Sequence, residues 1–431
     1  MHPRAQFFAS QQWTGAVIGM GYVGLPLAVT MTKRGLSAIG FDVSESHVAA
    51  LSAGHSPIED ITDEELQHAL DNGLTITTDP DALKNAEAIF IAVPSPLGRN
   101  REPDLSYINS AAETVREVVQ PGMLIALEST TYPGTTEDIL VPAATDGGLV
   151  LDQDVFVAFS PERVSPGDDL KTGDIPKVVG GVSATSGEVA AAAYERVVRT
   201  VHVVSSARTA EMAKLLENTY RAVNIGLINE MAQLAHALDI DIWETIDAAA
   251  TKPFGFQAFY PGPGVGGHCI PLDPQFLAWR AREAKFATRF IDLAEQVNVG
   301  MPSYAADRAA AVLNGQRLPV FGTKILGVGI AYKPDIADDR ESASIEVLRE
   351  LERRGALISV LDPVVGEARI ESHGFTHVDQ DADLTEFSLA VILTDHTVLD
   401  FKAIASQVGA VLDTRGVYRS LGPIPDNVEV L

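Results

Sequence analysis

The single cysteine of this 431-residue chain stands in a loop whose composition is itself chemical information. Cys269 lies in FYPGPGVGGHCIPLDP, directly after His268 and four residues before Asp273. Glycine and proline at that density make a loop rigid in places and let backbone N–H groups crowd a ligand. A thiol held there can capture an aldehyde as a nucleophile, provided its thiolate is stabilised. An isolated cysteine also packs well as a small buried hydrophobe, and the residues alone leave both readings open. His268 has the chemistry of a general base or a metal ligand. With one thiol and no matching His/Cys/Asp cluster nearby, no metal site is expected.

A second constellation is Gly19, Gly21 and Gly24, spaced G-x-G-x-x-G between a strand pattern and a helix pattern. The first glycine permits a tight turn, the second lets a pyrophosphate approach the backbone, and the third lets helix and strand pack closely. The helix start adds unpaired N–H groups and a partial positive charge. Asp42 ends the next strand pattern, eighteen residues past Gly24. A carboxylate there accepts from the ribose hydroxyls and repels a 2′-phosphate, which favours NAD over NADP. The bland alternative is a tight turn with a solvated aspartate. Further along, Lys214 and Asn218 stand at i and i+4 of a helical pattern, on one face. A solvated face is the ordinary reading of any such pair.

The elements that must position these residues follow from periodicity. Trp13–Ile18, Leu36–Asp42, Ala88–Val93, Met123–Glu128 and Val155–Phe159 are β-rich runs separated by helix-length segments. Such alternation builds a parallel sheet covered on both faces. From about Ala207 the apolar spacing changes to three and four residues without a Gly-Pro break, which reads as one long helix. After Leu318 the strand–helix alternation returns. The chain is therefore α/β, then helical, then α/β, with expected domains at 1–205, 206–305 and 306–431.

Composition narrows the function. The net charge of −26 repels polyanions at long range, so neither nucleic acid nor an anionic membrane surface is an expected partner. One cysteine excludes an intramolecular disulfide framework. No signal peptide pattern and no apolar run of about 18 residues is present, so a soluble cytoplasmic protein is expected.

Eight segments, in order, carry a family resemblance: VIGMGYVGLPLA (17–28), FIAVPSP (90–96), ESTTYPGTTE (128–137), SPERVSPG (160–167), AEMAKLLENTYRAVNIGLINE (210–230), PGPGVGGHCIPLDP (261–274), GIAYKPDIADDRES (329–342) and DTRG (413–416). Across nearly the whole chain the sequence resembles the UDP-glucose/GDP-mannose dehydrogenase family. GGHCIP, PER in place of PEF, and the KPFGFQAFYPGPG lead-in are most similar to its UDP-N-acetylhexosamine branch, with UDP-N-acetylglucosamine 6-dehydrogenases first and UDP-N-acetylmannosamine dehydrogenases next. The resemblance implies two Rossmann-like doubly wound parallel-sheet domains joined by a central helical domain, a homodimer made through the long helix, and an active site in the cleft between the sheets.

It also implies an activity, a four-electron oxidation of a sugar 6-hydroxyl to a carboxylate with NAD. Removing a hydride from carbon 6 requires a base for the hydroxyl proton. Asp273 matches the family's candidate, with Lys214 and Asn218 donating to the developing oxyanion. Cys269 would form a thiohemiacetal and then a thioester, Glu162 would help the hydrolytic water, and Thr130 would order water nearby. Cofactor contacts are expected from Gly19, Gly21, Tyr22, Val23, Gly24, Asp42, Val93, Pro94, Ser95, Thr130 and Arg340. UDP-sugar contacts are expected from Glu162, Arg163, Lys214, Asn218, Tyr260, Gly266, Lys333 and Arg415. Taken singly, Lys333, Arg340 and Arg415 read as surface charges, Thr130 as a helix cap, and the acidic DIADD run as a solvated turn. One departure stands out: where UDP-glucose dehydrogenases often carry a second acid four residues after Glu162, this chain has Pro166. UDP-N-acetylmannosamine and UDP-glucose are the alternative substrates. A non-catalytic NAD-binding interaction protein is the rival class, and retention of Cys269, Lys214, Asn218, Asp273 and Glu162 together argues against it. A two-electron 2-hydroxy-acid or 3-hydroxyacyl dehydrogenase would share the first domain but not need the cysteine loop.

Overall fold

A computed structural model describes the chain apart from residues 59, 99–100, 165–171 and 268. It is an α/β protein with two sheets and helices between them in sequence, as expected. Residues group into two compact units, Met1–Glu217 with Gln275–Phe286, and Asn218–Pro274 with Ala287–Leu431.

The first unit holds an eight-stranded sheet: β1 (Thr14–Ile18), β2 (Ser37–Phe41), β3 (Leu74–Thr77), β4 (Ala88–Ile91), β5 (Met123–Leu127), β6 (Val155–Phe159), β7 (Lys177–Gly181) and β8 (Val201–Val204). Their spatial order is β3-β2-β1-β4-β5-β6-β7-β8. β4, β5, β6 and all but the first residue of β1 are buried, and each strand feeds both faces, which explains their unbroken apolar runs. Val17, Phe90, Leu124 and Phe156 belong to one core, Ile18, Ile89, Ile125 and Val157 to the other. The chain reverses direction once in this sheet. β6 and β7 are antiparallel, pairing Ala158 with Gly181 and Phe159 with Gly180, where an all-parallel sheet was expected. The N-terminal segment, read above only for targeting signals, forms a helix at Pro3–Ser10 that buries Ala5 and Phe8.

The second unit holds β9 (Lys324–Val328), β10 (Leu357–Leu361), β11 (Thr376–His377), β12 (Leu389–Ile392), β13 (Val411–Asp413) and β14 (Val428–Val430), all parallel, in the order β11-β10-β9-β12-β13-β14. Helical segments Ala207–Ala237, Ile242–Ala250, Asp273–Glu283 and Arg289–Gly315 lie between the two sheets in sequence. Asn229, on the first of these, donates from its amide to Asn298 Oδ1 on the last at 2.9 Å, while Asn298 donates to the carbonyl of Ala222 at 3.1 Å. No helix among the described residues is long and apolar enough to cross a membrane.

Candidate active site

In both sheets the strand order reverses at a switch point, β1/β4 in the first and β9/β12 in the second. Ligands of open α/β sheets bind outside the carboxyl ends of the strands at such points. Gly19, Gly21 and Gly24 follow β1. Gly19 sits at φ +92°, and a Cβ there would come within 2.6 Å of the Ala92 carbonyl oxygen, so only glycine lets this turn lie against the end of β4. A Cβ on Gly24 would strike the Gly19 carbonyl oxygen at 1.8 Å, whereas one on Gly21 would meet nothing within 4 Å. Open space over the middle glycine, at the start of helix Gly24–Lys33, is what a pyrophosphate requires. Asp42 follows β2. Its Oδ2 accepts from the Met20 N–H at 3.1 Å and its Oδ1 from the Ser44 N–H at 3.0 Å, which ties the carboxylate to the glycine turn. These residues fit NAD.

Beside them, Val93 and Ser95 are half-buried, Pro94, Tyr22 and Val23 line the exposed edge of the turn to differing degrees, and Thr130 is partly exposed. Ser129 Oγ donates to the Val93 carbonyl at 2.8 Å, which joins the loops after β4 and β5. Thr130 belongs to this loop and caps no helix. Glu211, which the sequence reading passed over, anchors the same loop to the long helix by accepting from the N–H groups of Gly134 and Thr136 and from Thr136 Oγ1. Burial pushes its carboxyl above the ordinary range, even with those donors pulling the other way.

Glu162 lies just past β6 and is clamped from several sides. Its Oε1 accepts from the N–H groups of Arg163 and Val164 at 2.6 and 2.8 Å, and its Oε2 from Lys177 Nζ at 2.9 Å. Burial raises its carboxyl, but the Lys177 charge and these hydrogen bonds outweigh it and hold the group below the usual range. Lys214 Nζ donates to the Glu162 backbone carbonyl at 2.8 Å. With 8% of its surface exposed, Lys214 is not on a solvated face. Arg163 pairs with both oxygens of Glu217 and donates to the Pro176 carbonyl, so its guanidinium is engaged within the first unit. Pro166 lies outside the described residues.

In the second unit, Asn218 Nδ2 donates to Asp273 Oδ2 at 2.5 Å, with both residues buried. Asp273 opens helix Asp273–Glu283, and its N–H donates to the Cys269 carbonyl at 2.9 Å. Cys269 itself is exposed, which removes the buried-hydrophobe reading. His268 lies outside the described residues. Among the described residues, no group of three or more His, Cys, Asp or Glu side chains is placed to hold a metal ion.

The end of the glycine loop lies against the segment that follows β9. Gly267, at φ +81°, has the Tyr332 ring where a Cβ would lie and donates to the Arg340 carbonyl, and a Cβ on Gly266 would meet Tyr332 Cβ at 2.8 Å. Lys333, next to Tyr332, and Arg340, whose guanidinium pairs with Asp338, are thereby brought beside the loop. A Cβ on Gly262 would approach Arg415 Nη1 at 3.0 Å, and Arg415 Nε donates to Asp395 Oδ1. Tyr260 stacks on Trp243 with ring centroids 5.5 Å apart and donates to Asp247. Arg415 thus lies by the start of the loop, at Gly262, and Tyr332 and Arg340 by its end, at Gly266 and Gly267. The DIADD turn is not simply solvated. Asp339 is buried and paired with Arg369 and His373, whose hydrogen bonds and charges overcome burial and keep its carboxyl low.

Three successive stretches match the UDP-glucose/GDP-mannose dehydrogenase family: residues 14–198 its NAD binding domain, 208–299 its central domain and 326–420 its UDP binding domain. The chain belongs to this family. It is an NAD-dependent nucleotide-sugar dehydrogenase of Rossmann fold. It is 34% identical over 367 residues to a UDP-N-acetyl-D-glucosamine 6-dehydrogenase of Pseudomonas aeruginosa, covering 84% of this chain and 86% of the relative. It is 35% identical over 419 residues to an NDP-N-acetyl-D-galactosaminuronic acid dehydrogenase of Ralstonia nicotianae, covering 94% and 96%. Among solved structures, a UDP-D-ManNAc dehydrogenase of Pyrococcus horikoshii superposes with a TM-score of 0.86 at 31% identity, over 97% of this chain and 98% of that one.

Proposed function

We propose that this dehydrogenase oxidises the 6-hydroxyl of a UDP-N-acetylhexosamine, UDP-N-acetylglucosamine foremost, to the uronic acid. The observation that carries the reading is the exposed Cys269 on a glycine loop that runs directly into the buried Asp273–Asn218 pair. NAD, when bound, accepts the hydride that leaves carbon 6 in each of two successive oxidations. Asp273 takes the hydroxyl proton, while Lys214 and Asn218 donate to the oxyanion as charge develops. Cys269 adds to the aldehyde, and oxidation of that tetrahedral adduct leaves a thioester. Water then attacks the thioester carbon, the C–S bond breaks, and Glu162 receives the water proton. Thr130 orders water beside it.

Lys333 and Arg415 meet the diphosphate and Tyr260 and Gly266 hold the nucleotide-sugar, with Arg163 shaping the sugar pocket and Arg340 reaching towards the cofactor. In this reading residues 1–205 bind NAD, 206–305 carry the catalytic helix, and 306–431 bind the UDP-sugar. Along and just past the long helix, Met212, Leu216, Tyr220, Leu227, Leu234 and Leu238 are each at least 39% exposed, an apolar stripe that a second copy of the chain would cover. A reduced thiol used in catalysis suits the reducing cytoplasm. The deciding experiment counts NADH per sugar with UDP-N-acetylglucosamine, UDP-N-acetylmannosamine and UDP-glucose side by side. Two NADH per sugar and a preference for the first are expected. One NADH per sugar would overturn the thioester route, and preference for another sugar would overturn the substrate.

A further inference from the structure

The antiparallel turn of β7 has a chemical consequence in the first unit. Parallel strands all end at one edge of a sheet, so a parallel β7 would leave its first residue, Lys177, at the opposite edge. Because β7 runs backwards, Lys177 begins at the carboxyl edge. Continuing the register three steps past the Phe159–Gly180 pair sets Lys177 opposite Glu162. There the ammonium is 2% exposed and bonded to Glu162 Oε2 at 2.9 Å and to Glu128 Oε2 at 2.6 Å. Glu128 follows β5 at the same edge, is 1% exposed, and accepts from Tyr194 Oη at 2.7 Å on its other oxygen.

We infer that Lys177 is a positioning residue for the hydrolytic half of the reaction, fixing the Glu162 carboxylate as an oriented proton acceptor. The inference rests on the assignment of Glu162 to the hydrolytic water. Buried Glu128 and half-buried Glu162 share one lysine, and their environments are unequal. Glu162 has the lysine and two backbone N–H groups on it. Glu128, deeper, has the lysine and a tyrosine, and burial pushes its carboxyl up. Lys177 remains the cation of the group, because the two carboxylates outweigh the burial that alone would lower it. The phenol of Tyr194 is raised well above its ordinary range, first by burial and then by Glu128, so it stays a donor. Among the described residues, the other charged groups bonded to Glu162 or its neighbour are Lys214, on its backbone carbonyl, and the Arg163–Glu217 pair. None of these donates to Oε2. Among the described residues, Lys177 is the group that locks that oxygen and biases the carboxyl towards its ionised form.

The test uses the full-length enzyme turning over UDP-N-acetylglucosamine, or whichever UDP-sugar proves best, with Lys177→Met, Lys177→Met/Glu128→Gln, Lys177→Arg and Glu162→Gln. Lys177→Met alone strands both carboxylates, Glu128 fully buried, and can fail to fold; the double variant removes that one. NADH is followed in the first turnover and in steady state, and acid-quenched protein is weighed for an acyl adduct on Cys269. In Lys177→Met and in the double variant, both NADH of the first turnover form, steady-state uronate production falls ~10²-fold, and the adduct accumulates. The acid limb of the steady-state profile moves to higher pH, and Lys177→Arg restores part of the rate. A merely structural lysine predicts that Glu128→Gln rescues Lys177→Met with the acid limb unmoved, and that result overturns the inference. If Glu162→Gln accumulates adduct and the double variant does not, Glu162 keeps its role and Lys177 loses it. If Glu162→Gln accumulates none, the assignment of Glu162 falls and the inference with it.

Discussion

The carboxamide of Asn218 and the carboxylate of Asp273 are joined by a 2.5 Å hydrogen bond between two buried side chains, one on the long helix and one at the start of the helix after the cysteine loop. A buried carboxylate that loses a donor is expensive, by roughly 1–3 kcal/mol or more for a charged group. It also loses orientation. Asn218→Ala should therefore lower kcat for the first oxidation by ~10²-fold, the scale of a displaced base or oxyanion donor. Single-turnover NADH formation measures this directly. An unchanged rate would remove Asn218 and Asp273 from the chemistry.

How much of this was legible from sequence depends on the range of the contact. Gly19, Gly21, Gly24 and Asp42 were readable because their roles are set within one strand–turn–helix–strand unit, where spacing is geometry. The facing of Lys214 and Asn218 was half readable. Helical spacing put them on one face, but burial of that face comes from loops distant in sequence, so the solvated reading failed. Lys177 was invisible. Nothing near it marks a reversal of strand direction, and its partners Glu128 and Glu162 lie 49 and 15 residues away. Asp339 was missed for a related reason, since Arg369 and His373, which bury and pair it, lie on another segment.

The proposed preference for NAD is assigned to Asp42, which also ties the Met20 N–H into the glycine turn. Replacing it with serine removes the repulsion of a 2′-phosphate and weakens the grip on the ribose. Asp42→Ser should raise the KM for NAD by about tenfold, roughly one lost charged hydrogen bond, and give measurable activity with NADP. Initial rates against both cofactors decide it. Unchanged discrimination would place the selectivity elsewhere.

Cys269 is exposed and is the single thiol of the chain. Iodoacetamide should therefore modify one site in the folded protein and abolish uronate formation, while NAD binding survives. Cys269→Ser cannot form a thioester, so uronate should fall below ~1% of the parent rate, a loss in keeping with removal of a nucleophile. Full conversion by the serine variant would sink the covalent route.

The apolar stripe on the long helix leads to a prediction about assembly. Leu227 and Leu234, one 51% and the other 49% exposed, lie two turns apart on it. Glutamate at both positions would place charges in any interface formed there. Light scattering should give a dimer for the parent chain and a monomer for the Leu227→Glu/Leu234→Glu variant. A parent chain that is monomeric at all concentrations would refute the proposal outright.

The sheet of the second unit has its own titratable anchor. Asp362, at the end of β10 and buried, accepts from the N–H groups of Ile330, Ala331, Val364 and Val365 and from His396 Nε2. The Asp335 N–H donates to His396 Nδ1, so Nε2 carries the proton that faces the carboxylate. Burial pushes Asp362 up, but the His396 hydrogen bond and the backbone donors prevail and hold it below the ordinary range. A carboxyl lowered in the folded state stabilises the fold above its unfolded pKa of about 3.9, and that stability is lost as pH falls through the folded pKa. Asp362→Asn turns an NH₂ group towards N–H donors and should cost ~1–3 kcal/mol at pH 7. The gap between parent and variant, read from urea midpoints, should stay level from pH 7 down to about 4 and narrow below that, where the parent's own carboxyl takes up its proton. A gap that is constant down to the acid unfolding of both proteins would mean that the shape of the side chain, and not its charge, holds this turn.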